Sequence, residues 1–130
     1  MALIVLALML VATAGVLAYD SVHPVITFPD SNLELAVRRA IYEQLGKQTN
    51  DIRQSDLEQL TSLFDMGSSR GEIHNLYGLE NCINLQQLFL YQNSIDDISP
   101  LSGLTELTTL ILAGNEVTDI SPLADLSGLT

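Results

Sequence analysis

The sequence predicts an α/β solenoid. Its stacked coils carry a parallel β-sheet on the concave side and 3-10 or short helical returns on the convex side, with an α-helical cap at the N-terminal end. Three observations predict it. The second half of the 130-residue chain repeats at a period of 22, from Leu85 to Leu107. Within each unit two leucines sit two positions apart, as on one face of a strand. Ahead of the units, apolar residues recur every four positions, as on one face of a helix.

The chain opens on residues 1–18, in which Ala2 to Ala18 carries no charge. This run is short for a membrane span, which needs about 20 apolar residues. It ends in Val16-Leu17-Ala18 and is followed by the polar Tyr19, Asp20 and Ser21. That form predicts a secretory signal peptide, cleaved after Ala18. No Lys or Arg precedes the apolar run, which departs from the usual pattern. An uncleaved anchor is the competing reading, and both place the rest of the chain outside the cytoplasm. Residues 19–27 read as a linker.

Residues 28–62 are expected to form the cap. Ser31-Asn-Leu-Glu34 is a capping-box pattern, and Leu33, Val37, Ile41 and Leu45 make one apolar stripe, with Gly46 as the stop. Ser55-Asp-Leu-Glu58 reads as a second capping box opening a shorter helix, with Leu57 and Leu60 inward. The need for a cap is physical: an open solenoid end exposes leucines and strand edges to water.

Residues 63–130 are expected to be the repeats, truncated at the C-terminus. The two clear units begin at Leu85 and Leu107, and Leu129 opens a third. In Leu88-x-Leu90 and Leu110-x-Leu112 the leucines point inward and the residues between them outward. Asn93 and Asn115 follow the strands and are expected to form a buried asparagine ladder that bonds backbone groups freed by the bend. Ile95, Ile98, Leu101 and Leu104 recur every three residues, which suits a 3-10 return, and Pro100 and Pro122 suit its opening. A degenerate unit from Leu63 is aligned at the same period, which puts Met66 and Ser68 at strand core positions and Cys82 at that of Leu104 and Leu126.

Composition narrows the function. Sixteen acidic residues against five basic ones give a net charge of −11, so phosphate backbones and anionic lipid headgroups are poor partners. A single cysteine forms no internal disulfide, and His23 and His74 make no zinc motif with it. Asp96, Asp97, Asp119 and Asp125 lack a calcium-loop spacing and read as solvated turn residues. Ser99 and Ser121 precede prolines in repeated turns and read as structural. Neither a phosphate-binding glycine loop nor a nucleophile elbow is visible. The chain is therefore expected not to be an enzyme and to need no metal or cofactor.

The residues that vary freely in such a solenoid are those pointing outward from the strands. They are Gln87, Phe89, Tyr91 and Gln92 in the first clear unit, and Thr109, Ile111 and Ala113 in the next. In the degenerate unit they are Asp65, Gly67 and Ser69. Exposed aromatic and aliphatic groups on a rigid sheet are candidate interface anchors, so this concave face is the expected partner-binding site.

Four stretches carry a family resemblance: Phe28-Pro29-Asp30-x-Asn32-Leu33-Glu34, Ile52-x-x-x-Asp56-Leu57, Gly78-Leu79-Glu80, and the units with Asn-x-Ile/Val-x-Asp-Ile-Ser-Pro-Leu. Over residues 28–130 the chain resembles the internalin-type leucine-rich-repeat proteins of bacteria. The resemblance implies leucine-rich repeats behind a helical cap, export to the cell surface, and recognition of a protein through the concave face. The partner it implies is a host or cell-wall surface component, with no nucleic acid and no membrane for the mature repeat domain. Arg53 departs from the family, whose caps usually carry threonine there. The chain also stops mid-repeat, without the expected C-terminal cap or anchoring segment. The alternative expectation is a targeting or substrate-recognition module of a longer secreted enzyme whose catalytic domain lies beyond Thr130. A cytoplasmic phosphatase-regulating repeat protein shares the 22-residue unit, but the apolar leader argues against it.

Overall fold

The computed structural model describes residues 23–67 and 72–130. The expected signal peptide and its cleavage point lie outside the described residues, as do Ser68 and Ser69. In chain order the elements are α1 (Ser31–Leu45), α2 (Gln54–Leu57), β1 (Ser62–Asp65), β2 (Gln87–Leu90) and β3 (Thr109–Ile111), with 3-10 turns at Leu79–Asn81, Ser99–Leu101 and Ser121–Leu123. The strands form one parallel sheet in the order β1-β2-β3. The fold is the expected leucine-rich-repeat solenoid with a helical cap.

Helix α1 buries Leu33, Ala36, Val37, Ala40 and Ile41 and packs on β1. Its N-cap is Asp30, one residue before the expected Ser31. The Asp30 carboxylate accepts from the amides of Asn32 (2.9 Å) and Leu33 (3.1 Å), which have no partner within the helix. Its other oxygen accepts from the amides of His74 (2.8 Å) and Asn75 (3.1 Å), so one side chain ties the helix start to the first coil. Gly46 ends the helix in the left-handed conformation, at φ 64°. The N-cap of helix α2 is Arg53, two residues before the expected Ser55, and its amide donates to the Asp56 carboxylate at 3.0 Å. Leu57 and Leu60 are buried, as their spacing predicts.

Residues 23–27 are more than a linker. Val25 and Arg53 form an antiparallel bridge, Ile26 donates to the Ile52 carbonyl at 2.8 Å, and Gln54 donates to the Pro24 carbonyl at 3.0 Å. Phe28 then packs its ring on the backbone of Gly78. A Cβ at Gly78 would stand 2.5 Å from that ring, and Gly78 has φ 109°. Two of the sequence signatures, one in the cap and one in the first coil, thus meet face to face.

A single core runs through the molecule, from Leu33 and Ile41 through Leu63, Leu88 and Leu90 to Leu104 and Leu107. Burial of a leucine of this kind stabilises by about 1.5–3 kcal/mol. Backbone bonds between coils recur in step. The Thr61 carbonyl accepts from the amides of Gln86 (2.8 Å) and Gln87 (3.1 Å), and the Gln86 carbonyl from those of Thr108 (2.8 Å) and Thr109 (3.1 Å). In the last coil Leu110, Leu112, Val117 and Leu123 are only partly buried and Ile120 is exposed. Leu107 is fully buried, and the chain at Gly128 passes close to its carbonyl.

The register of β1 corrects the alignment of the degenerate unit. Leu63 pairs with Leu88, Phe64 with Phe89 and Asp65 with Leu90. The strand offset is therefore 88 − 63 = 25, three more than the period of the later units. Met66 is exposed rather than in the core. Asp65, expected among the outward residues, stands at the inward register position of Leu90. There it is half-buried, its carboxylate accepting from the Gly67 amide (3.0 Å) and the Asn93 side chain (3.4 Å). Gly67, also expected outward, is buried at φ 53° in the turn that follows, where a Cβ would stand 1.8 Å from the Gln92 carbonyl oxygen. The physical reason is that pairing sets which side chains share a face, and a shift of odd length exchanges the two faces.

Candidate functional site: the concave sheet face

The outward side of the sheet is built by register. Phe64, Phe89 and Ile111 are direct neighbours across the three strands. The Phe64 and Phe89 rings stack, with centroids 4.8 Å apart and planes 18° from parallel. Phe64 is 49% exposed and Ile111 38% exposed, while Phe89, between them, is half-buried. At one end of the strands Gln87 pairs with Ser62 on one side and with Thr109 on the other. Tyr91 (42% exposed), Gln92 and Ala113 lie at the other end, where the strands turn.

No charged side chain stands on this outward register among the described strand residues, although the chain carries −11 overall. The face therefore offers apolar and aromatic surface edged by neutral amides and hydroxyls. Such a surface can release water into the bulk when covered and can form hydrogen bonds at its edges. It holds no paired acid and base of the kind proton transfer requires.

Phe64 is the residue that the 22-residue alignment missed. Its signal was present: Leu63-Phe64 repeats the Leu88-Phe89 dipeptide, and matching these two pairs gives the observed register.

The turn beyond the strands keeps the face rigid. Gly67, Gln92 and Gly114 all adopt positive φ, at 53°, 53° and 76°. Gln92 is the side-chain-bearing member of this row and holds a conformation that non-glycine residues seldom adopt. Its amide donates to the Ala113 carbonyl at 2.9 Å. Directly behind lies the asparagine ladder. The Asn93 Oδ1 accepts from the Ile73 amide at 2.8 Å, and the Asn115 Oδ1 from the Ile95 amide at 3.1 Å. The Asn115 side-chain amide also donates to the carbonyls of Leu90 (2.6 Å) and Leu112 (2.9 Å).

The acidic residues of the convex side have local work. Asp97 Oδ1 accepts from the Ser99 amide and Asp119 Oδ1 from the Ser121 amide, each at 2.9 Å, opening the 3-10 turns. Asn75 does the same for Tyr77 at 2.8 Å in the first coil. Bonds from the backbone and then the hydroxyl of Ser99 and Ser121 hold the Asp97 and Asp119 carboxyls below the usual carboxylate range. Cys82 is buried, and desolvation, followed by the nearby Glu80 charge, pushes its thiol up to about 12.

Comparison with known proteins agrees with this architecture. Residues 83–125 match the family model for leucine-rich repeats (two copies). No curated protein matches the chain. Among solved structures, an internalin (InlF) from Listeria monocytogenes is 38% identical with a TM-score of 0.69, covering 78% of this chain and 28% of its own length. Internalin C2 from the same species is 30% identical with a TM-score of 0.65, covering 78% of this chain and 43% of its own length. A structure of the CBM51-2 and INT domains of Clostridium perfringens ZmpB, in complex with GlcNAc, is 40% identical over 66% of this chain and 17% of its own, with a TM-score of 0.52. The chain thus spans less than half the length of the solved internalins it matches. Taken with the cap, the strand register and the repeated Ile-Ser-Pro-Leu turns, these likenesses make the chain an internalin-type leucine-rich-repeat protein.

Proposed function

We propose that this chain is a secreted or cell-surface module that recognises a protein partner through its concave face and carries out no catalysis itself. The observation that carries the reading is the in-register row Phe64, Phe89 and Ile111, flanked by Tyr91 and free of charge. An internalin-type leucine-rich-repeat fold is in general a protein-interaction module, and this row is where the present chain displays apolar surface on its rigid sheet. Secretion rests on the apolar leader followed by a polar segment. Among the described residues, no helix is long and apolar enough to cross a membrane.

Three strands about 4.8 Å apart present a narrow strip, whereas a standard interface covers about 800 Å² per partner. The visible coils therefore supply part of a footprint that further coils would complete. The test is to capture a partner with the full-length protein and then exchange Phe64, Phe89 and Tyr91 for alanine, singly. Loss of binding by tenfold or more in at least one variant is expected, with Asp97→Ala and Asp119→Ala binding as the parent does. Unchanged binding in all three concave variants, with loss in the two convex ones, overturns the assignment.

A further inference from the structure

Among its described residues the acidic chain has one basic corner, and it shares no residue with the concave face. Of the five Lys and Arg residues, four are described (Arg70 lies in the undescribed stretch), and three of those four line a single open pocket. The pocket has a volume of about 680 Å³ and is lined by Arg38, Arg39, Tyr42, Lys47, Gln48, Thr49 and Asn50. No carboxylate is among its lining residues. This size falls within the range of small-molecule sites.

The corner is built rather than incidental. Arg38 donates to the carbonyls of Thr49 (2.6 Å) and Asn50 (2.9 Å) and pairs with Glu34 at 2.7 Å, so its guanidinium is spent on pinning the loop after α1 against that helix. Lys47 pairs with the buried Asp56 at 2.6 Å, which fixes the start of the same loop. The Arg39 side chain differs from both: it makes no hydrogen bond or ion pair with the described residues. Tyr42 lies three residues on along α1, on the same side of the helix, and is 56% exposed.

We propose that this pocket binds a single carboxylate group, which Arg39 engages as a two-pronged donor while the apolar part of the ligand lies against the Tyr42 ring. The guanidinium fork matches carboxylate geometry, and its donors are uncommitted. The side-chain amides of Gln48 and Asn50 line the same pocket and offer further donors to the second carboxylate oxygen. Net charge selects a ligand of low charge. A polyanion would meet the repulsion of an excess of 11 negative charges, whereas one carboxylate is matched by the one uncommitted guanidinium of Arg39.

The test titrates the ¹⁵N-labelled protein with sodium benzoate at low ionic strength, following amide resonances, beside matched titrations with benzyl alcohol and inorganic phosphate. Saturable shifts at Lys47, Gln48, Thr49 and Asn50 are expected with benzoate at millimolar affinity, and none with benzyl alcohol. Arg39→Gln should abolish saturation. Because the Arg39 side chain holds no partner among the described residues, the melting temperature of this variant should match the parent. Arg39→Lys, which keeps the charge but loses the fork, should bind severalfold more weakly. Equal shifts with benzyl alcohol, or parental benzoate binding by folded Arg39→Gln, overturns the proposal. Tighter saturation of the same amides by phosphate overturns the carboxylate assignment.

Discussion

The side-chain amide of Gln44 stands to Thr61 as a peptide group of a preceding coil would. Its Oε1 accepts from the amides of Thr61 (3.0 Å) and Ser62 (3.4 Å), and its Nε2 donates to the Ser62 carbonyl at 2.6 Å. One coil later the Thr61 carbonyl accepts in the same way from Gln86 and Gln87. A helix side chain thus supplies the first rung of a ladder whose other rungs are backbone, and β1 is spared an open edge.

Replacing Gln44 by alanine should lower stability by about 1–2 kcal/mol, since the lost bonds are partly replaced by water. Gln44→Glu keeps the acceptor but sets a carboxylate oxygen against the Ser62 carbonyl, so it should cost at least as much. Urea unfolding measures both, and hydrogen exchange should quicken at Thr61 and Ser62. The exposed neighbour Glu43, changed to alanine, should leave stability unaltered.

Asp30→Ala should cost more than an ordinary N-cap loss, which is about 0.5–2 kcal/mol, because the amides of His74 and Asn75 lose their acceptor together with those of Asn32 and Leu33. Burial raises the Asp30 pKa, but the bonds from His74, Leu33, Asn75 and Asn32 outweigh it and hold the carboxyl below its ordinary value. A depressed folded pKa gives stability that is complete above the unfolded value of about 3.9 and is lost as pH falls through the folded one. Unfolding free energies measured from pH 5 downward should therefore decline in the parent and decline less steeply in Asp30→Asn.

Gly78→Ala should be strongly destabilising, by about 2 kcal/mol or more, because φ 109° and the Phe28 ring 2.5 Å from the new Cβ act together. Phe28→Leu in the same chain should recover only the steric share. A double-mutant cycle by thermal unfolding separates the two contributions.

Cys82 should react slowly with thiol reagents at pH 8 in the folded protein and rapidly in denaturant. Its raised pKa predicts stability that is complete below the unfolded value of about 8.5 and lost as pH rises toward about 12. Cys82→Ser, with a hydroxyl at a fully buried position, should lower the urea midpoint, and Cys82→Ala should do so through the cavity alone.

Much of this molecule is legible in its sequence because a repeat states its own periodicity several times. Leu88, Leu90, Asn93 and Ile98 each have a counterpart one period later, so their burial and turn roles follow from spacing alone. The cap stripe of Leu33, Val37 and Ile41 is equally plain. What spacing did not reveal lies where the repeat is broken. Three extra residues between Leu63 and Ile73 shift the pairing of β1, which turned Asp65 inward and placed Phe64 on the concave face. The N-cap moved from Ser31 to Asp30 because one carboxylate can serve the helix and the first coil at once, a long-range tie that no local pattern encodes. The corner around Arg39 was illegible for a similar reason: Arg39 and Asn50 come together only when Arg38 folds the loop back.

The Asn93 and Asn115 bonds have a bearing on how such a chain can change over generations. Each coil reaches only to the one beside it, at a constant interval. Recombination that duplicates or deletes a whole unit leaves every donor with an acceptor and every leucine with a neighbour. A deletion of one codon within a strand would instead turn the Phe89 position toward the interior. The stack is therefore permissive in length and strict in phase, and between β1 and Ile73 it accommodates a three-residue change of phase without loss of the fold.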